Sequence, residues 1–486
     1  MITRRNLLKG LGTLGAVGTV GVPGMLLSQN AEATVTPFTR PLNIPPVLTP
    51  SSTDATTDYY DLDIGETTAE IIPGLQTQVI SFNGSVPGPT IRARAGRAVA
   101  MTYNNGLPDT TLGGAPGNAV IHLHGAHCPA SDDGYPTDYI QPGGTRTYTY
   151  PNDQLPAPLW YHDHTMDYTG PHVWYGMAGL YLMSDDYEDA LNLPKGAYEV
   201  PLVLQDRNFD ANGQLVYTKN MMGETGNTQL VNGTIQPYLN VAKRKYRFRV
   251  YNGSNARFYK LALSNGQSFQ VIGMEGGLLS APVTVTSITL APAERADIII
   301  NFGSLAVGTS VELRNTLVAS TSSVYKIMQF KVNSTATDTS VVPSTLRPVT
   351  KIARSQAVRT RNFTLSMTGG MMTGNMMWTI NGLVWDENRV DATPRLDETE
   401  IWKFTNMSGM DHPMHLHHAM FQVLTINGAP PAATHAGWKD TVIVPRMRGT
   451  AEIIMKFTEY TGKFPFHCHV LEHEDMMMMS QFEVLP

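Results

Sequence analysis

The chain has 486 residues, room for about three domains of ~150 residues each. Only 16% of them are charged, while 43 are glycine and 32 proline, a balance that favours a turn-rich β protein over a helical one. The net charge of −6, with no basic tract, argues against a nucleic-acid or anionic-membrane binder, and two cysteines in so long a chain exclude a disulfide scaffold.

The first stretch is an address rather than part of a fold. Thr3-Arg4-Arg5-Asn6-Leu7-Leu8-Lys9 resembles a twin-arginine export signal. A Gly-rich uncharged run follows to Asn30, and Ala31-Glu32-Ala33 supplies an A-x-A cleavage site. The glycines between Gly10 and Gly24 make this run a poor membrane span. The expectation is a signal peptide over 1–33, read by the twin-arginine export machinery. Cleavage then leaves no stable membrane anchor, and the mature chain is periplasmic or secreted. Residues 34–56, rich in Pro, Thr and Ser, read as an extended arm.

Beyond the arm a pattern recurs three times. Asn83-Gly84 leads to the strand Arg97–Tyr103 and ends at Asn104. Asn232-Gly233 leads to Tyr246–Val250 and ends at Asn252. Asn381-Gly382 leads to Glu400–Phe404 and ends at Asn406. A second marker also comes in triplicate, as Gly144–Tyr150, Glu294–Ile300 and Gly449–Met455. Three copies of one β unit predict three related β-sandwich domains over 57–190, 191–348 and 349–486.

All 14 histidines fall within 122–172 or 412–473, which leaves the middle unit without one and suggests a spacer. The first unit carries His122-Leu123-His124 and His162-Asp163-His164. The third carries His412-Pro413-Met414-His415-Leu416-His417 and Phe466-His467-Cys468-His469, with His473 and the run Met476–Met479 beyond. Phe464–Val470 reads as a strand, on which side chains alternate faces, so His467 and His469 point one way and Cys468 the other. Cys and His with a weak Met ligand form the donor set of a blue-copper electron-transfer site, and a pair of His on the opposite face suits copper that handles oxygen.

With these motifs in view, the chain resembles the multicopper oxidases, the laccase-like family of three cupredoxin domains. The likeness runs over the whole mature chain, and all four copper motifs stand in the family's order. It implies an all-β protein of three cupredoxin-like Greek-key β-sandwich domains with four copper ions per chain. Type 1 copper takes His412, Cys468 and His473, with Met478, ten residues beyond the cysteine, as axial ligand. Type 2 copper takes His122 and His415. The type 3 pair takes His124, His162 and His469 on one ion and His164, His417 and His467 on the other. His127, His172, His418 and His435 are left as structural.

Asp133 and Glu474 match positions where the family places acids that relay protons to reduced oxygen. The implied partners are O₂ and a small reducing substrate, a phenol or aromatic amine. The Met-rich stretch Met367–Met377 and Met410 resemble the soft Cu(I) site of bacterial cuprous oxidases. In those proteins an acid stands where this chain has Ser408, and the long His/Met-rich insert is missing here. Cuprous or other metal-ion oxidation is therefore the alternative, and a non-catalytic envelope copper-binding or structural protein is the second.

Overall fold

The computed structural model describes residues 35–369 and 376–486. The export signal and two methionines of the Met-rich stretch, Met371 and Met372, lie outside the described residues. Six sheets pair into three sandwiches around separate hydrophobic cores. The first core, for example, takes Leu62 and Val79 from one sheet and Ile91, Leu159 and Tyr161 from the other.

The triple repeat is physical. In each unit one strand runs parallel to the first marker strand, which pairs antiparallel with the second. The trios are Thr57–Ala69, Ala98–Asn105 and Thr145–Tyr150, then Glu199–Phe209, Lys245–Asn252 and Arg295–Asn301, then Arg359–Thr368, Thr399–Asn406 and Gly449–Lys456. The Asn-Gly pairs close two-residue turns with positive φ at both positions: 51° and 71° at Asn83-Gly84, 50° and 74° at Asn232-Gly233, 55° and 73° at Asn381-Gly382. Asparagine and glycine tolerate that region with least strain. Each turn asparagine also accepts a backbone N–H through Oδ1, from Asp63, Val203 and Thr364 at 2.6–2.7 Å.

A second asparagine repeats at the end of each first-marker strand. Asn252 Nδ2 donates to the carbonyls of Arg257 and Leu290, and its Oδ1 accepts the Ser254 N–H. Asn406 does the same with Met410, Val444 and Ser408. In the first unit this role belongs to Asn105, which binds Gly117, Ile140 and Leu107, and not to Asn104. Strand alternation turns Asn104 outward to Asp63.

The arm is extended and crosses between units. Phe38 and Leu42 donate to Gln236 and Tyr238 of the middle unit, and Leu48 donates to Thr90 of the first. Among the described residues no helix is long and apolar enough to cross a membrane.

Replacing Asn252 with Ala strands one buried and one part-buried carbonyl and one buried N–H. It should cost about 2–4 kcal/mol, read by calorimetry as a lower Tm, whereas Asn104→Ala should stay within about 0.5 kcal/mol. Equal effects at the two positions would contradict the repeated role.

Candidate metal centres

Four strands, two from the first unit and two from the third, bring the histidines to one seam. Ile121–His124 pairs with Pro158–Asp163 so that His122 stands opposite His162. His412–Leu416 pairs with Gly462–Cys468, which sets His415 opposite His467 and Met414 opposite Cys468. Directly opposite residues share a face. His415, His417, His467 and His469 therefore leave the sheet on the seam side, and Cys468 enters the third core with Met414 on the other side. His412 is three residues from His415 and so takes the Cys468 face. The expected strand Phe464–Val470 is observed as Gly462–Cys468, and the alternation still carries through His469.

On the Cys468 face, His412 Nδ1 lies 3.4 Å and His473 Nδ1 3.5 Å from the sulfur, and the two nitrogens are 3.2 Å apart. Burial lowers the pKa of His412 to about 3 and that of His473 well below the ordinary range, while it pushes the Cys468 thiol up. Two neutral imidazoles and a buried sulfur form a trigonal set whose thiolate needs a bound cation. Met478 is fully buried in the same core as Cys468, and its carbonyl accepts the Cys468 N–H at 3.0 Å.

On the seam side the donors sort into groups. His122 Nε2 and His415 Nε2 are 3.4 Å apart. The Nε2 atoms of His164, His417 and His467 lie 3.2–3.3 Å from one another. His124, His162 and His469 converge as a third group, in which His124 Nδ1, His162 Nε2 and both nitrogens of His469 are buried without a hydrogen-bond partner. Such unpaired buried atoms are costly unless something binds them. Burial, reinforced by neighbouring imidazoles, holds His122, His124, His415, His417 and His469 well below the usual histidine pKa, and His162 falls to about 3. These rings are neutral at neutral pH, the form that ligates metal. The residues present therefore fit copper.

The opposite ring nitrogens are fixed from behind. His122 Nδ1–H donates to the Asp133 carbonyl at 2.6 Å and His417 Nδ1–H to Asp133 Oδ2 at 2.7 Å. Gly134, at φ 81°, lets that turn press onto the strand, since a Cβ there would meet the Ile121 carbonyl at 2.4 Å. Asp133 is buried, which raises its pKa well above the carboxylate range. Glu474 lies between rings: Oε1 is 3.2 Å from His164 Nδ1 and accepts from Thr169 Oγ1 at 2.7 Å, and Oε2 is 3.0 Å from His467 Nδ1. Burial would raise its pKa, but His467 and His164 outweigh that and bring it to about 2.

The remaining histidines stand apart from these groups. His172 binds Asp163 and the Pro116 carbonyl, and His418, at φ 72°, turns its ring onto Phe464. Met367 and Met410 are half-buried against the third core. Ser408 Oγ accepts from His412 Nε2–H at 2.8 Å. Trp378 covers the cysteine site, its ring 4.2 Å from that of His473 and 4.9 Å from that of His412, and its Nε1–H donates to the Met221 carbonyl.

Sequence reasoning missed Asp440, Arg295 and Trp378. Asp440 is buried beside His124 and paired with Arg295 of the middle unit, so the middle unit is more than a spacer. The available signal was an adjacent Lys439-Asp440 pair inside the apolar run Trp438–Val444, because charges within a buried strand must be paired.

Profiles described as multicopper oxidase match residues 63–188, 187–309 and 359–486. A laccase of Bacillus stratosphericus is 35% identical, covering 92% of this chain and 99% of that one. A laccase of Bacillus subtilis (strain 168) is 34% identical over 93% and 99%. The crystal structure of a laccase from Pediococcus acidilactici superposes with a TM-score of 0.85 at 32% identity, over 94% of this chain and 95% of that one. With donor sets that fit copper on both faces of one strand and profile matches to all three units, the chain belongs to the multicopper oxidase family, copper-dependent oxidoreductases that use oxygen.

Proposed function

We propose that the chain is an exported laccase-type oxidase. It takes single electrons from small phenols or aromatic amines and couples four such oxidations to the reduction of O₂ to water. The observation that carries this reading is the back-to-back arrangement on Gly462–Cys468: a sulfur-containing set on one face and a purely imidazole set on the other, joined by the backbone of three consecutive residues. Relatives named laccase support the phenol class.

In this reading four coppers bind per chain. His412, Cys468 and His473, with Met478 as a further weak donor, would hold type 1 copper, and His122 and His415 would hold type 2. His124, His162 and His469 would hold one type 3 ion, and His164, His417 and His467 the other. The units run 57–190, 191–348 and 349–486, and residues 1–33 direct export to the periplasm or beyond through the twin-arginine route. Bound copper supplies the one-electron redox chemistry and the oxygen-reducing centre.

The chain's own residues do the rest. Cys468 shares its backbone with His467 and His469, so the two donor sets are linked by covalent bonds. Asp133, whose burial favours the protonated form, and Glu474, ionised between His164 and His467, supply and relay protons at the seam, because the N–H protons of the ligating rings are committed to oxygen acceptors. Trp378 shuts water and bulky molecules away from the His473 edge.

Cuprous oxidation is the second reading. It is favoured by methionines beside Trp378: Met367 stands opposite it on the paired strand, Met377 precedes it and is 37% exposed, and Met222, 47% exposed, follows the carbonyl that accepts its N–H, while Met410 packs on the same core.

Metal analysis of the purified chain should give about four coppers and an intense visible Cu–thiolate band. Cys468→Ser should abolish that band and substrate oxidation while the seam retains its copper. Oxidation that persists in Cys468→Ser would place electron entry elsewhere.

Glu474→Gln and Asp133→Asn should keep the visible band and slow O₂ consumption by about 100-fold. Loss of copper in either would assign the acid to holding ligands rather than to proton supply.

Trp378→Ala should raise kcat/KM for a bulky phenol several-fold. Replacing Met367, Met377 and Met410 together with Leu should leave Cu(I) oxidation unchanged. A sharp rise in KM for Cu(I) in that triple variant would transfer the function to cuprous oxidation.

A further inference from the structure

The middle unit holds no histidine, yet one of its side chains reaches the seam. Arg295 is 1% exposed. Its Nη1 and Nη2 donate to Asp440 Oδ1 at 2.8 Å and Oδ2 at 2.6 Å, its Nε donates to the Pro158 carbonyl of the first unit at 2.9 Å, and Nη1 also reaches the Ala293 carbonyl at 3.1 Å. Asp440 belongs to the third unit and is equally buried. Its Oδ1 accepts from His124 Nε2–H at 3.0 Å and from Thr441 Oγ1–H at 2.9 Å, and its carbonyl accepts from His415 Nδ1–H at 2.8 Å. The His124 and His415 rings stack at 3.6 Å. The preceding residue is gripped from the same side, since Lys439 Nζ donates to Glu275 at 2.7 Å and Glu294 at 3.0 Å, both in the middle unit.

A neutral imidazole carries one N–H. His122, His415 and His417 place it on Nδ1, against oxygen, and turn Nε2 to the seam. His124 is reversed. Its Nε2–H meets Asp440, and the unpaired Nδ1 joins His162 and His469. With the proton on the other nitrogen, the Asp440 oxygen would face a lone pair and an N–H would point into the donor group. The tautomer of His124 therefore depends on where the Asp440 carboxylate is held. A guanidinium suits that task because its rigid fork engages both carboxylate oxygens while Nε anchors to a fixed carbonyl, which a single ammonium does not reproduce.

We propose that Arg295 is a positioning residue for the oxygen-reducing centre: through Asp440 it holds His124 with Nδ1 as the donor atom, so that a histidine-free unit governs copper occupancy at the seam. This rests on the reading of His124, His162 and His469 as one copper-binding set.

The test is Arg295→Met and Arg295→Lys in the full-length, copper-loaded protein. The readouts are copper per chain, visible Cu–thiolate absorption per chain, and the kinetics of the reducing substrate. In Arg295→Met the visible absorption per chain should hold while copper per chain falls. kcat should drop about 10–100-fold with KM for the reducing substrate unchanged, since the cysteine site is untouched. Arg295→Lys, which keeps the charge and loses the fork, should fall between that variant and wild type, and it carries the test if Arg295→Met does not fold. A folded Arg295→Met, or failing that an Arg295→Lys, with wild-type copper content and kcat would overturn the proposal. So would a loss of visible absorption in proportion to total copper, which marks general loosening of the chain. If the wild-type protein binds copper only at the cysteine site, the donor set and this role fall together, and that failure is distinguishable because it precedes any substitution.

Discussion

Eight imidazoles crowded into a buried seam can coexist only if each ring proton and each free lone pair has a defined place. Burial keeps rings such as His122, His415 and His417 neutral, each has one proton to place, and an oxygen receives it so that the other nitrogen is free. Much of the surrounding structure answers to this requirement. The Asp133 turn serves two rings, one through its carbonyl and one through its side chain. Asp440 serves two more in the same manner. Glu474 sits between a ring of the first unit and one of the third. Asp133 and Asp440 come from segments between strands and Glu474 from the short helix Leu471–Glu474, connections that a sandwich leaves free to reach across an interface.

The same requirement explains the three-unit construction. Each sandwich has its own core, and the repeated Asn-Gly turns and strand-end asparagines show one local solution used three times. The seam belongs to none of the units alone. Its ligand strands come from the first and third, and the charged struts that hold them come partly from the second, through Arg295 and the Glu275–Lys439–Glu294 cluster. The extended arm adds a further tie between the first two units.

Much of this was legible in the sequence because it obeys short periods. The triple β unit followed from turn residues and β-branched runs at matching intervals. The alternation of His467, Cys468 and His469 forecast two donor sets on opposite faces, and the structure brings those residues together as that period requires. Contacts between segments hundreds of residues apart were not legible. Lys439-Asp440 in an apolar run marks a buried charge but not its partner, so Arg295 was silent, as was Trp378, one aromatic among many in a β-rich chain. Asn104 and Asn105 were confused because the motif gave a position to within one residue, and on a strand one residue changes the face. The histidine-free middle unit reads as a spacer because ligands form recognisable motifs, whereas the single charges that orient them do not.

The position of the donor groups between units has a thermodynamic consequence. Each seam group draws its donors from both the first and third units, so the free energy of any metal uptake there would also be free energy of docking one sandwich on the other. By linkage, copper availability sets how firmly the chain closes. A copper-starved chain can keep three intact cores and still have a loose junction, open first to proteases along the seam.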